Sequence, residues 1–201
     1  MIGTCSVCGN HEWDKIVSEG KVICPKCNHS WNFISKPLFI LSGCSGVGKT
    51  TTAIHMMQSQ NDVVVLDADI FCGVQNASTN EDYRKRVDTL ESLSRNISQS
   101  GKPVLWTMAG NLDMIPSSYN TRFFSGIYCL VLTVQEDDLR YRMSVGRGIT
   151  DNDWIEGSVG YNKYLREHNS IGKLEYEQLD TTNKSPREVA DEVVAWLHKY
   201  L

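Results

Sequence analysis

Long apolar runs are scarce in this sequence. The strongest, Ile127 to Val134, is far too short to cross a bilayer, and the opening stretch MIGTCSVCGNHEW lacks the basic and apolar blocks of a signal peptide. A strong charge of either sign is also missing. The net charge of -4 gives no broad attraction for nucleic acid or an anionic membrane. No internal repeat or low-complexity tract is present, which removes repeat architectures. These absences lead to the expectation of a cytoplasmic globular protein with no membrane partner. Its 201 residues suffice for one medium domain with a small appendage.

Cysteine is present, but its count of seven is odd, so an oxidising compartment would leave one thiol unpaired. Cys44, Cys72 and Cys129 are scattered. The other four, Cys5, Cys8, Cys24 and Cys27, form two C-x2-C pairs separated by fifteen residues. Two-residue spacing lets one tight turn aim two thiolates at a single ion, and two such turns complete a tetrahedron around zinc. Gly9 follows the first pair, while Pro25 and Asn28 frame the second. KVICP and SWNF carry the β-branched and aromatic content of short strands, so residues 1-36 read as a zinc ribbon. The alternatives are four reduced cysteines or two disulfides. Against them, ordering so short a segment costs about 1 to 2 kcal/mol per residue in backbone entropy. Zinc supplies about 10 to 16 kcal/mol in comparable peptides. His11 and His29 are expected at the surface. Trp13 and Trp31 are read as covering the metal site, with stacking on bases as the other option. Residues 1-36 hold four lysines and three acids, a net of +1 that leaves -5 for the remainder, too small a difference to argue for nucleic acid.

Lys36-Pro37 marks a boundary, because proline disfavours helix in the residue before it. Residues 37-201 then alternate apolar strand candidates with segments long enough for helices. The strands are expected at Leu38 to Leu41, Val63 to Leu66, Val104 to Thr107, Tyr128 to Val134 and Leu174 to Leu179. From Thr79 onward, Tyr83, Val87, Leu90, Leu93 and Ile97 form a helical stripe. The last helix has Ser185 at its cap, Pro186 in its first turn and Glu188 three past the cap, with Val189, Val193, Trp196, Leu197 and Tyr200 on one side. The predicted fold is α/β, a parallel sheet flanked by helices on both faces.

ILSGCSGVGKTTA supplies the first chemistry. Gly43-x4-Gly48-Lys49-Thr50 is a Walker A loop with a strand before it and a helix after it. Across Gly43, Ser45, Gly46, Val47, Gly48, Lys49, Thr50 and Thr51, successive N-H groups turn toward phosphate oxygens and the helix terminus adds positive potential. Lys49 reaches the β and γ phosphates, and Thr50 offers a hydroxyl to magnesium. The donor is therefore a nucleoside triphosphate, taken as ATP.

In VVVLDADIF, strand alternation is expected to aim Asp67 and Asp69 the same way, beside the phosphate loop of the neighbouring strand. Asp67 is the candidate magnesium carboxylate and Asp69 the candidate base for an acceptor hydroxyl. VLWTMAGN ends without an acid, so no later strand competes for the metal. Asp137 and Asp138 read as helix caps. In LRYRMSVGRGITDNDW, Arg140 reads as an ordinary surface residue. Arg142 and Arg147 read as phosphate cations, Arg147 between Gly146 and Gly148 on backbone free to swing.

GCSGVGKTT, LDAD, RMSVGRGITD and LDTTNKSPREVADEVVAWL together resemble the small P-loop kinase superfamily, which includes shikimate, gluconate, adenylylsulfate, nucleoside and nucleotide kinases. The likeness spans residues 37-201 and leaves the ribbon outside it. It implies that Asp67 and Asp69 serve magnesium and the acceptor hydroxyl, and that a lid around residues 136-170 brings Arg142 and Arg147 over the phosphates. It further implies that Thr182, Asn183 and Lys184 line the adenine pocket and that Gly110 faces the acceptor. Arg84, Lys85, Arg86 and Arg122 offer charge beyond the needs of a neutral sugar, with Arg86 the candidate contact to an acceptor phosphate. The expected activity is ATP- and magnesium-dependent phosphoryl transfer to a nucleoside, nucleotide or similar small metabolite. The rival is a nucleic acid kinase whose ribbon grips the polymer. A regulatory nucleotide switch is disfavoured, because in NKSP the position of the guanine-reading aspartate is held by Pro186.

Overall fold

The computed structural model of the chain describes residues 2-59, 61-71 and 77-201; Cys72 lies outside them. Three short strands, β1 (Ile16–Ser18), β2 (Lys21–Ile23) and β3 (Ser30–Asn32), form an antiparallel sheet between and after the cysteine pairs. β2 and β3 fall where KVICP and SWNF were expected. β1 was not foreseen, since Ile16 and Val17 are only two apolar residues long and gain strand character from pairing with β2.

The second sheet is built from β4 (Leu38–Ser42), β5 (Val64–Asp67), β6 (Val104–Thr107), β7 (Ile127–Thr133) and β10 (Glu177–Asp180), all parallel, in the order β10-β7-β4-β6-β5. Its central strand is buried on both faces, and the two-residue period sorts its side chains. Phe39 and Leu41 enter one apolar cluster with Met56, Leu132, Val193 and Trp196, while Leu38 and Ile40 enter the other with Val87, Leu90, Trp106 and Leu165. The helices covering these faces are α1 (Lys49–Ser59), α2 (Asn80–Ser98), α3 (Glu136–Tyr141), α4 (Asn152–Glu167) and α5 (Pro186–Leu197). Both foreseen helix starts carry capping boxes, Thr79 with Asp82 and Ser185 with Glu188. The cap of α3 is Gln135; Asp137 and Asp138 lie in its first turn, where they complement the helix dipole.

Three expectations need correction. The apolar run Leu174 to Leu179 is two elements: β9 (Leu174–Glu175) pairs antiparallel with β8 (Ser170–Ile171), and β10 then joins β7. Tyr176 between them is buried, which is why hydropathy ran on without a break. Second, β5 does not neighbour β4, because β6 lies between them. Third, Leu93 is exposed, whereas Glu91, Ser94, Arg95 and Ser98 are buried. The inward face of α2 is thus partly polar near its end. Trp106 donates to Ser94 Oγ at 2.8 Å there. No helix among the described residues is long and apolar enough to cross a membrane.

Glu91 is fully buried, and its carboxyl oxygens have no well-aligned hydrogen-bond partner among the described residues; the nearby Ser118 and Thr121 hydroxyls offset its burial only in part. Burial pushes its carboxyl up to about 8 from an ordinary 4.5. The folded chain therefore holds this proton where the unfolded chain has lost it, and stability falls as pH rises from about 4.5 to about 8. Glu91→Gln is expected to flatten that part of the stability profile, measured by urea unfolding across pH. An unchanged slope contradicts the burial argument.

Candidate functional site

The loop after β4 is shaped by positions where a side chain cannot stand. Gly43, Gly46 and Gly48 have φ of 139°, 82° and 112°. A Cβ on Gly43 would lie 2.6 Å from the Leu132 carbonyl oxygen, so the loop passes against β7 only because that atom is missing. α1 begins at Lys49, which places its free N-H groups at the loop. The Lys49 ammonium donates to the carbonyls of Gly43 (2.7 Å) and Cys44 (2.8 Å), curled inside its own loop. Burial holds its pKa below the usual lysine value.

The loop forms the floor of a cavity of about 710 Å³, the size of a small-molecule site. One wall carries Asp67, Asp69, Thr107, Met108 and Ala109 from the ends of β5 and β6. β5 ends at Asp67, and Asp69 lies on a 3-10 turn from Ala68 to Phe71, so strand alternation does not aim the two acids. A local bond does so instead: Asp67 Oδ1 accepts from the Asp69 amide at 3.0 Å and from the Thr107 hydroxyl at 3.3 Å. Thr107 thus bridges the gap that the intervening strand creates.

The opposite wall holds Thr181, Lys184, Pro186 and Val189, and the roof is Tyr141, Arg142, Gly146 and Arg147. Arg142 donates to Val47 O (3.2 Å), Thr181 Oγ1 (3.0 Å) and Thr181 O (2.9 Å), tying the phosphate loop to the segment after β10. It opens a π-helical turn, Arg142–Gly146. Arg147 follows that turn, exposed, with one donor on Ser45 Oγ at 2.9 Å and its guanidinium 5.5 Å from the Trp154 ring. Arg140 pairs with Glu136 and Glu156 on the outside. α4 is pinned beneath by buried Asn162, which exchanges hydrogen bonds with the Val134 backbone, and by the Tyr161 hydroxyl on Ala109 O at 3.0 Å.

Of the residues named from sequence, Ser45 to Thr51, Asp67, Asp69, Arg142, Arg147 and Lys184 share this cavity. Gly43 shapes its floor from beneath. Gly110, Thr182 and Asn183 are not among its lining; Thr182 instead bonds Asp180 and the Gln135 amide. Arg86 stands on α2, 5.7 Å from the Tyr83 ring, also outside the lining. Thr107, Thr181, Pro186 and Val189 were missed. Pro186 and Val189 read only as a helix start and a core position. The usable signal was that α5 begins just past the carboxyl end of a strand, the edge where ligands sit in open parallel sheets.

The four paired cysteines converge. Their sulfurs lie within 4.8 Å of one another, with Cys5 to Cys27 and Cys8 to Cys24 both 3.6 Å. A tetrahedron with zinc-sulfur bonds of about 2.3 Å has edges of about 3.8 Å, so the donor set fits that ion. The two turns match bond for bond. Gly9 N donates to Cys5 O and Asn28 N to Cys24 O, while Cys5 N and Cys24 N donate to Asn10 O and His29 O. Gly9 and Asn28 both take positive φ, as the tight turn requires. The Cys8 amide facing Cys5 holds that thiol below its ordinary value. Burial alone would raise Cys24, but the Cys27 and Lys26 amides bring it down to about 6. Trp13 stacks on Tyr119 at 5.7 Å, and Trp31 stacks on His29 at 5.7 Å.

No family model matches this sequence, and no curated protein matches it either. Solved structures do match in shape. A sugar kinase from Janibacter is 17% identical with a TM-score of 0.60, covering 82% of this chain and 95% of its own. The architecture is the P-loop kinase fold. The tunicamycin resistance protein of Deinococcus radiodurans is 17% identical with a TM-score of 0.59, covering 81% of this chain and 95% of its own. An adenylylsulfate (APS) kinase from Mycobacterium tuberculosis, crystallised with AMPPNP and APS, is 14% identical with a TM-score of 0.53, covering 83% of this chain and 99% of its own.

Two outcomes are expected. Gly43→Ala should weaken ATP binding at least about tenfold in calorimetric titration, about 1.4 kcal/mol, because the loop must leave the Leu132 carbonyl. Purified chain should carry one zinc ion by emission spectroscopy, and Cys24→Ser should lose it. Wild-type affinity in the first variant, or retained zinc in the second, contradicts these assignments.

Proposed function

We propose that the chain is an ATP- and magnesium-dependent phosphotransferase acting on a nucleoside, nucleotide or similar small hydroxyl-bearing metabolite. The observation that carries this reading is the meeting of Asp67 and Asp69 with Lys49 and the phosphate loop in one cavity. A nucleotide-binding switch needs the loop and a metal carboxylate; it has no use for a second acid beside the γ-phosphate position.

The donor triphosphate lies on the loop amides from Gly46 to Thr50, with its base toward Pro186, Val189 and Thr181. Thr50 and Asp67 would hold magnesium, which when bound neutralises charge between the outer phosphates. The Asp69 carboxylate accepts the proton of the acceptor hydroxyl as its oxygen bonds to the γ phosphorus. The bond from that phosphorus to the bridging oxygen breaks, and ADP leaves. Lys49 lets go of the Gly43 and Cys44 carbonyls to follow the charge on the transferred group. Arg147, bonded to Ser45 and resting on the face of Trp154, swings in from the roof and excludes water. Arg142 braces the loop against Thr181 so that donor phosphates and base pocket keep their spacing. The lid comprises α3, the π-helical turn and α4, within residues 136-170. Cys5, Cys8, Cys24 and Cys27 would hold a structural zinc ion in the ribbon, residues 1-36, outside the transfer chemistry.

γ-Labelled ATP offered to nucleosides, nucleotides, sugars and oligonucleotides should label a small acceptor, and Asp69→Asn should lower that transfer by about 10² to 10⁴ with ATP affinity retained. Turnover unaffected by Asp69→Asn removes the base role. Slow hydrolysis with no acceptor labelled removes the kinase reading.

A further inference from the structure

None of the residues lining the phosphate cavity comes from the ribbon. The ribbon meets the rest of the chain at the opposite edge of the sheet, where β4 starts. The linker places Ser35 Oγ on Phe123 O, Lys36 O receives the Ser125 amide, and the Leu38 amide donates to Gly126 O. The five residues of β4 put about 16 Å between this edge and the phosphate loop.

The contacts there fall on two segments, the last turns of α2 and residues 119-123. Gln99 makes a reciprocal pair with the Ile34 backbone, at 3.0 and 2.9 Å. The Arg95 guanidinium lies 4.8 Å from the Phe123 ring centre. The ribbon has almost no core of its own: Ile2 and Val22 bury themselves against Phe123, flanked by Val17, Trp31, Phe33 and Tyr119. These two segments are the connections of β6. α2 leads into that strand, and residues 112-123 lead out of it from Thr107, Met108 and Ala109.

A chain of polar contacts joins the cysteine cluster to this seam. Asn10 Nδ2 lies 3.7 Å from Cys24 Sγ and 2.8 Å from Asp14 Oδ2. Asp14 Oδ1 accepts from Lys15 Nζ at 2.6 Å, and Lys15, wholly buried, also donates to Glu12 O at 2.8 Å. The Lys15 amide donates to Tyr119 Oη at 2.7 Å, Arg122 donates to Lys15 O at 3.3 Å, and Trp13 stacks on Tyr119. A buried ammonium tolerates its place only while its partners stay fixed. If the first cysteine turn relaxes, Asn10 releases Asp14, Lys15 must return to water, and its backbone leaves Tyr119.

We propose that the ribbon's interaction partner is the chain's own β6 connections, and that zinc at Cys5, Cys8, Cys24 and Cys27 sets the order of α2 and residues 112-123 without governing the phosphate loop. Calling the end of β6 an acceptor wall rests on the reading above; the coupling itself does not. Lys15 and Val22 are wholly buried in this contact, while Trp13 stays half-exposed at its edge.

Hydrogen exchange of the full chain tests this, comparing zinc-loaded protein, protein stripped with EDTA and protein reloaded with zinc chloride. Stripping should lower protection at least about tenfold in residues 91-98 and 119-126, and reloading should restore it. Residues 49-59 should keep their protection, and a fluorescent ADP analogue should bind equally to both forms. Tyr119→Phe, loaded with zinc, should loosen 119-126 while retaining the ion. Changes confined to residues 2-36 overturn the proposal, since the ribbon would then be independent. Equal loss in residues 49-59 also overturns it, since the metal would then support the whole fold.

Discussion

The close passage of a side-chain-free backbone over a strand end is the constraint on which the rest of this structure depends. Gly43 fits against the Leu132 carbonyl because it has no Cβ, and from there the loop turns its amides inward and feeds α1. Three cations of the cavity are placed by bonds to that turn. Val47 O receives Arg142, Ser45 Oγ receives Arg147, and the Gly43 and Cys44 carbonyls hold Lys49. Arg142 and Arg147 bond the phosphate loop directly, and the segment after β10 is tied to it only through Arg142, which bonds both Thr181 and Val47.

Sheet topology sets two different walls beside that local turn. With β4 central, the loop lies between β7 on one side and β6 with β5 on the other. One wall follows β10 and carries Thr181, Lys184, Pro186 and Val189, and the acidic wall follows β5 with Asp67 and Asp69, so the two ends of the cavity differ in chemistry. The Thr107 hydroxyl and the Asp69 amide fix Asp67 across the strand that separates it from β4. The ribbon works at the far edge, where it gathers the two connections of β6 through a seam of aromatic rings and a buried ammonium.

What was legible in the sequence was local. The phosphate loop lies within nine consecutive residues, and each cysteine turn within six, so spacing alone predicts their geometry. The helix start at Ser185 was legible for the same reason, since a capping box is complete in four residues, whereas the helix after Thr79 was legible from its apolar stripe and its capping box with Asp82 emerged only in the structure. Features set by long-range pairing were not. Nothing in VVVLDADIF reveals that β6 intervenes before β4, and nothing in LEYEQL reveals a change of pairing partner at Tyr176. The α2 stripe misplaced Leu93 because the helix end buries Glu91, Ser94, Arg95 and Ser98 beneath the ribbon seam and Trp106, a choice made by tertiary neighbours. Trp13 read as a cover for sulfur, and its partner Tyr119 lies more than a hundred positions away.

The central claim is that one loop presents a terminal phosphoryl group to an acceptor beside Asp69. A crystal structure with magnesium and a non-hydrolysable ATP analogue tests it most directly. The account predicts the phosphate chain on the amides of Gly46 to Thr50, the metal between Thr50 and Asp67, and the γ-phosphate facing Asp69 across an open acceptor space. A phosphate chain seated elsewhere, or Asp67 and Asp69 turned away from the γ-phosphate, would contradict it.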